Sequence, residues 1–277
     1  EEALLPSATV ERTCPQFSPD GKELAFIEDR IRLMVLNLDT KKVRRITDGS
    51  TWYSTDGEFS YAWSPDGKWF TLEFIGNRHD PYSDIGLVSA QGNSPIVNLT
   101  NSGYMSGSPR FALDGNAILF KTERYGMRAH ASWGSQDDAM LIFLNQDAYD
   151  KYCLSKEDYE LRKELEAEQK KTQDKDTTKD KKRSKKETEQ EKTGNDKSQV
   201  KDIVVELKNI EDRIVRLTPN SSDMGSVIIS KDGESLYYFA AFEDGYDLWK
   251  MDLRKKDTRL LHKMDAGWAS MEMDKDG

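Results

Sequence analysis

Three histidines, two cysteines and a recurring Asp-Gly pair are the residues whose chemistry has to be tested first. His79 lies in the loop Gly76-Asn77-Arg78-His79-Asp80-Pro81-Tyr82. His130 ends the loop Arg124-Tyr125-Gly126-Met127-Arg128-Ala129-His130, just ahead of Trp133-Gly134-Ser135. A histidine beside a serine is the raw material of acyl transfer, which requires a base within hydrogen-bond reach of the nucleophile. No Gly-x-Ser-x-Gly elbow presents any of the serines. His79, Asp80 and His130 do not have the spacing of metal ligands. Cys14 and Cys153 are far apart with no CxxC pattern, so neither a disulfide framework nor a zinc site is indicated and the redox compartment stays open. The Asp-Gly pairs lack the remaining acidic positions of a calcium loop, and turn chemistry explains them better. No catalytic, cofactor-binding or metal-binding residue is therefore expected.

The same loops carry Arg78, Tyr82, Arg124, Tyr125, Arg128 and Trp133. Arginine, tyrosine and tryptophan dominate binding hot spots, and loops carry function out of proportion to their length. These six residues form the candidate peptide-binding or partner-binding surface.

The elements that must position them are written in a repeat. Phe17-Ser18-Pro19-Asp20-Gly21-Lys22 returns as Trp63-Ser64-Pro65-Asp66-Gly67-Lys68, then as Phe111-Ala112-Leu113-Asp114-Gly115 and Ile229-Ser230-Lys231-Asp232-Gly233. A last copy is Met273-Asp274-Lys275-Asp276-Gly277. The aspartates fall at 20, 66, 114, 232 and 276, in steps of 46, 48, 118 and 44. Three of these steps match the ~40–50 residues of a four-stranded propeller blade. Each Asp-Gly turn is followed by alternating apolar residues (Leu24 and Phe26, Phe70 and Leu72, Ile118 and Phe120, Leu236 and Tyr238), the mark of a strand. Third strands follow at 33–38, 85–88, 140–143 and 246–251. Fourth strands end in Ile46-Thr47, Leu99-Thr100, Leu217-Thr218 and Leu261-His262, so His262 reads as a member of a threonine column. Cys14, Ser60, Ser108, Ser226 and Ser270 stand three residues before each anchor, as small spacers where inner strands would crowd a common axis.

The fold expected is all-β: a partial β-propeller with about four four-stranded blades and one charged insert. The modules are placed at 16–60, 61–107, 108–225 and 226–269. Residues 1–15 read as the end of a preceding blade entering an inner strand, and 270–277 as the start of a truncated next one. Open sheet edges favour a fragment of a longer ring. The insert, 155–202, explains the long step. Ser155 and Asp158 suggest a capping box, and Tyr159, Leu161 and Leu165 a thin apolar stripe over 155–171. From 172 to 199 the composition cannot bury enough apolar area to offset its conformational entropy, so disorder is expected. The insert joins third and fourth strands, on the face that carries the Asp-Gly turns.

Charge narrows the partners. Of 41 basic and 50 acidic residues, 14 and 13 lie in 156–198, leaving 27 and 37 elsewhere. An acidic body does not attract phosphate backbones, which argues against nucleic acid. No apolar run reaches the ~20 residues of a membrane span. No signal peptide is recognisable at Glu1, and the native N-terminus is expected to lie upstream.

The repeats resemble the WD40-like repeats of TolB and of peptidase propellers, whose mark is an aromatic residue before Ser-Pro-Asp-Gly-Lys. Three longer phrases narrow the resemblance: Val97-Asn98-Leu99-Thr100-Asn101-Ser102-Gly103-Tyr104, the stretch from Ile210 to Ser221, and Gly245-Tyr246-Asp247-Leu248-Trp249. With the Lys/Glu-rich tract before the second phrase, the whole chain looks like the propeller region of bacterial tricorn protease homologues, especially of Bacteroides-type bacteria. The resemblance implies a serine peptidase in the intact protein, with PDZ and peptidase domains downstream in the same chain. It also implies peptides or unfolded polypeptide as substrates, channelled or gated by the propeller, and a homo-oligomer as one form of assembly. None of the family's catalytic motifs has a counterpart in residues 1–277. The compartment stays open between cytoplasm and periplasm. A TolB-like interaction propeller without activity, and the propeller of a prolyl-oligopeptidase relative, are the competing readings.

Overall fold

The computed structural model describes residues 4–5, 9–76, 80–128, 135–168 and 201–273. Four antiparallel four-stranded sheets follow one another along the chain, each a meander. The first comprises β1 (Arg12–Phe17), β2 (Glu23–Glu28), β3 (Arg32–Asn37) and β4 (Val43–Arg45). The second comprises β5 (Tyr61–Trp63), β6 (Trp69–Phe74), β7 (Asp84–Ser89) and β8 (Val97–Asn98). The third holds β9 (Ser106–Ala112), β10 (Ala117–Thr122), β11 (Asp138–Phe143) and β12 (Ile214–Arg216). The fourth holds β13 (Asp223–Ile229), β14 (Ser235–Ala241), β15 (Tyr246–Asp252) and β16 (Asp257–Ala266). These are propeller blades. The inner strands β1, β9 and β13 begin two to four residues before 16, 108 and 226, where the modules were divided.

The Asp-Gly turns are built alike. The Ser18 hydroxyl donates to Asp20 Oδ1 at 2.7 Å and accepts the Glu23 amide at 2.9 Å, while the Lys22 amide donates to the same carboxylate at 3.1 Å. Ser64–Asp66 and Ser230–Asp232 repeat these bonds. The serine hydroxyls hold the Asp20 and Asp232 carboxyls below the usual carboxylate range. In the third blade alanine and leucine replace Ser-Pro, and Asn116 Nδ2 donates instead to the Leu113 carbonyl at 2.7 Å.

The cores lie between blades. Ala25, Ile27, Leu33 and Val35 pack with Phe70, Leu72 and Val88 across the first interface. Ile85 and Leu87 meet Ile118, Phe120, Met140 and Ile142 across the second. Leu119, Leu141 and Phe143 meet Met224, Val227, Leu236 and Tyr238 across the third. Successive residues of β10 and β11 thus serve opposite interfaces, which is why 117–120 and 139–143 are continuous apolar runs rather than alternating with polar residues. Each large side chain buried this way contributes about 1.5–3 kcal/mol.

Three residues of the spacer column, Ser108, Ser226 and Ser270, line one cavity. Cys14, Ser60 and Ser270 are exposed, and Ser108 and Ser226 half-buried. Cys14, Ser108 and Ser226 fall where β1, β9 and β13 slip register against their partners. Cys14 and Ser108 take φ of 51° and 54°, a left-handed backbone suited to small side chains in a bulge. The inner strands are nonetheless tied together. The Tyr61 hydroxyl donates to the Cys14 carbonyl, and the Glu73 carboxylate accepts the amides of Ser60 and Ser108.

The insert leaves β11 and returns at β12, as expected. Its first element, α1 (Gln146–Cys153), was not foreseen. Asn145 caps it by accepting the Ala148 amide at 2.9 Å, and Tyr149 and Tyr152 pack on Phe143. A second helix, α2 (residues 156–168), starts with the expected capping box: Asp158 N–H donates to Ser155 Oγ, whose hydroxyl donates back to the Asp158 carboxylate. The expected stripe does not form. Tyr159 alone is buried, under the Arg254 guanidinium at 3.8 Å, while Leu161 and Leu165 are 55% and 50% exposed. The tract 172–199 lies outside the described residues. After the tract, the Ile203 amide donates to Asp66 Oδ2 at 3.0 Å, and before it Lys163 of α2 donates to Glu234 at 2.8 Å. The two flanks of the insert thus engage the Asp-Gly turns of the second and fourth blades. No helix among the described residues is long and apolar enough to cross a membrane.

Candidate functional site

The loops that join second to third strands open on the face opposite the Asp-Gly turns. At the root of the β10–β11 loop sits Asp138, the fully buried first residue of β11. Its carboxylate accepts the Thr218 hydroxyl at 2.7 Å, the Ser221 hydroxyl at 2.7 Å and Arg216 Nε at 2.9 Å. A buried carboxylate is tolerable only when paired and hydrogen-bonded, and here every bond faces a strand end. The same device recurs one blade earlier. Asp84 accepts Asn98 Nδ2, the Thr100 hydroxyl and the Ser102 amide at 2.8, 2.6 and 2.8 Å. In the fourth blade Asp247 accepts the amides of Met264 and Asp265, which hold its carboxyl low.

Arg216, fixed by Asp138, lies 4.9 Å from the Tyr125 ring centroid, and Arg124 approaches the same ring at 5.5 Å. Tyr125 is 48% exposed and Met127 74%. The loop is closed by Gln136, whose amide donates to the Met127 carbonyl at 2.9 Å. Gly126 is required there, because a Cβ would stand 2.1 Å from the Gln136 carbonyl oxygen. Arg128 stacks at 4.2 Å on Tyr104, which belongs to the connection between the second and third blades. Tyr82 is half-buried in the neighbouring β6–β7 loop. Its neighbour Ser83 donates its hydroxyl to the Ser106 carbonyl at 2.9 Å, hooking that loop onto β9.

The structure thus brings Arg124 and Tyr125 together with Arg216 and places Arg128 on Tyr104. Among the described residues Tyr82 makes no ring contact with them. Arg78 and Trp133 lie outside the described residues, as do His79 and His130. Arg216 and Tyr104 were not singled out from the sequence. Asp84, Asp138 and Asp247, each four residues before a buried apolar position of its third strand, were the available signal.

Behind these loops a cavity of about 230 Å³ is lined by Glu73, Lys121, Glu123 and Asp137 among others. Burial pushes the Glu73, Glu123 and Asp137 carboxyls above their ordinary values, opposed at Asp137 by Lys121, 3.6 Å away. No group of three His, Cys, Asp or Glu among the described residues is placed to hold a metal ion. His262 is exposed and pairs with Leu248, at the position where Thr47, Thr100 and Thr218 accept the amides of Leu33, Ile85 and Ala139. The arrangement sets an exposed aromatic ring and guanidinium groups on a carboxylate-anchored base.

No family model matches the chain. A 108-residue segment, 39% of the chain, is 27% identical to a putative tricorn-like protease C-terminal subunit of Sulfurisphaera tokodaii. A 120-residue segment, 41% of the chain, is 30% identical to the uncharacterised peptidase YuxL of Bacillus subtilis. These segments span 12% and 17% of the two relatives, so the chain corresponds to a small part of either. Among solved structures, the tricorn protease superposes over 91% of this chain and 22% of its own length, at 12% identity and a TM-score of 0.57. A putative TolB from Agrobacterium tumefaciens superposes over 93% of this chain and 64% of its own, at 12% identity and a TM-score of 0.53. Four meandering sheets in series and propellers among the solved structures agree: the chain has a β-propeller fold, and about two-fifths of it is similar in sequence to a tricorn-like protease subunit and to a peptidase.

Proposed function

We propose that this chain is the non-catalytic propeller of a tricorn-like serine peptidase, and that it gates or channels peptides toward a peptidase domain elsewhere in the intact protein. The single observation that carries the reading is the exposed Tyr125 ring flanked by Arg124 and by Arg216, the latter held in place by buried Asp138. An extended peptide offers backbone carbonyls and side-chain carboxylates to such guanidinium groups and apolar carbons to the ring. Arg128, stacked on Tyr104, adds a further guanidinium on the same loop, and Tyr82 belongs to the neighbouring one. The modules 16–60, 61–107, 108–225 and 226–269 act as its scaffold, with the insert on the opposite face.

Peptide hydrolysis by the intact protein tests it. Replacing Arg124 and Tyr125 by alanine should raise KM with little change in kcat, the signature of lost binding shared by ground and transition states. Hydrolysis by residues 1–277 alone would contradict the assignment. The TolB-like likeness favours a second reading, an interaction propeller without activity. An intact protein that hydrolyses no peptide would favour it.

A further inference from the structure

The blade that follows the Arg/Tyr loops holds a cavity that no sequence motif announced. It measures about 480 Å³, within the roughly 300–1,000 Å³ typical of ligand sites. It opens on the same face, beside Pro219 and Asn220, which continue the chain from Arg216 and Thr218. Tyr238, Phe242 and Trp249 form its aromatic wall. Phe242 meets Trp249 edge-on at 5.2 Å and is 45% exposed, a ring held open to solvent by its neighbour. Burial pushes the Tyr238 phenol up to about 12, so the wall remains uncharged near neutral pH.

The rim is acidic, and its carboxylates are unequally committed. Asp247 spends its oxygen on two backbone amides, and Asp265 lies 3.5 Å from Lys263. Glu243 and Asp244, both exposed at the β14–β15 turn, make no hydrogen bond or ion pair among the described residues. An aromatic wall attracts a cation through the negative faces of its rings, and two uncommitted carboxylates at the mouth add to that attraction. An anionic side chain would be repelled by the rim. An apolar one would use the rings and leave the carboxylates unanswered.

We infer that the cavity beside Phe242 and Trp249 receives a lysine or arginine side chain of an extended peptide, with Glu243 and Asp244 closing over its charge. The inference rests on the proposed handling of peptides by this chain but assigns a specificity that reading lacks. An acidic or carbonyl-rich stretch of the same peptide would lie toward Arg124, Arg216 and Tyr125, so the two sites read opposite charges along one face.

Calorimetric titration with blocked alanine peptides carrying one central lysine, arginine, norleucine or glutamate separates the outcomes. Lysine and arginine peptides should bind roughly tenfold more tightly than the norleucine isostere, an effect of the size expected for one partly desolvated cation–ring contact with ion pairing. The preference should vanish in the Glu243→Gln/Asp244→Asn double variant and weaken in Phe242→Ala. All three are exposed-loop changes, and thermal melts followed by circular dichroism check that the fold is kept. Equal binding of lysine and norleucine peptides, or a preference that survives the double variant, would overturn the pocket assignment and leave peptide handling standing. Failure of every peptide to bind would overturn both.

Discussion

The Asp138 carboxylate accepts the Thr218 hydroxyl at 2.7 Å, although 80 residues separate them in the chain. The pair closes the third blade around its insert and holds Arg216 under Tyr125. Asp138→Ala should therefore lower stability by about 3 kcal/mol, because it leaves Arg216, Thr218 and Ser221 without their common acceptor. Urea denaturation measures the loss. Asp247→Asn, at a half-buried carboxylate whose partners are two backbone amides, should shift the midpoint far less.

Acidity should act on the protein in two opposite ways. Burial raises Glu73, Glu123 and Asp137 above ordinary values of 4.5, 4.5 and 3.8. The folded state then holds protons that the unfolded chain has released, so these groups lose stability as pH rises from those values through the raised ones. Asp20, Asp48 and Asp232 are lowered by hydrogen bonds from serines, and their contribution is lost as pH falls from 3.8 through the lowered values. Melting temperatures across this range should rise from the acid side and then decline. Replacing the raised carboxyls by Gln, Gln and Asn should flatten the declining limb and leave the acid limb unchanged.

Arg213 is 3% exposed and has no carboxylate partner among the described residues. It donates to the carbonyls of Phe143, Glu206, Lys208 and Asn209, gathering the returning strand of the insert. Arg213→Met should cost roughly 3 kcal/mol by orphaning these acceptors. Arg213→Lys should recover little, since an ammonium cannot reproduce the planar fork. Chemical denaturation of both variants checks this.

Gly126→Ala puts a methyl group into the Gln136 carbonyl and should displace the Tyr125 loop without unfolding the blade. The expected outcome is weakened peptide binding with the melting temperature nearly preserved. A binding curve identical to that of the parent would show that the loop does not need this geometry.

The repeat was legible because its signal is local. Ser-Pro-Asp-Gly-Lys makes its own bonds within six residues, and the strand periods follow from it. The aspartate pins were not legible. Arg32 takes the equivalent position in the first blade, and an aspartate before an apolar run passes for ordinary turn chemistry. Helix α1 is only eight residues long and largely polar, and its two tyrosines acquire meaning only once Phe143 is placed beneath them. Leu161 and Leu165 misled for the converse reason: helical spacing makes a stripe only when something lies opposite it. Of the candidate loops the sequence named Arg124, Tyr125 and Arg128, but not Arg216 or Tyr104, which come from other strands and connections.

A strand that is apolar on both sides has no polarity to distinguish its faces. In the apolar runs 117–120 of β10 and 139–143 of β11, a slip by one position would exchange the two interfaces while keeping most of these side chains in an oily setting. The address of each residue must then be written at the strand ends, by the Asp-Gly turns on one face and the aspartate–threonine clasps on the other. The polar punctuation thus carries the information that orders the blades, and the greasy interior supplies cohesion without syntax.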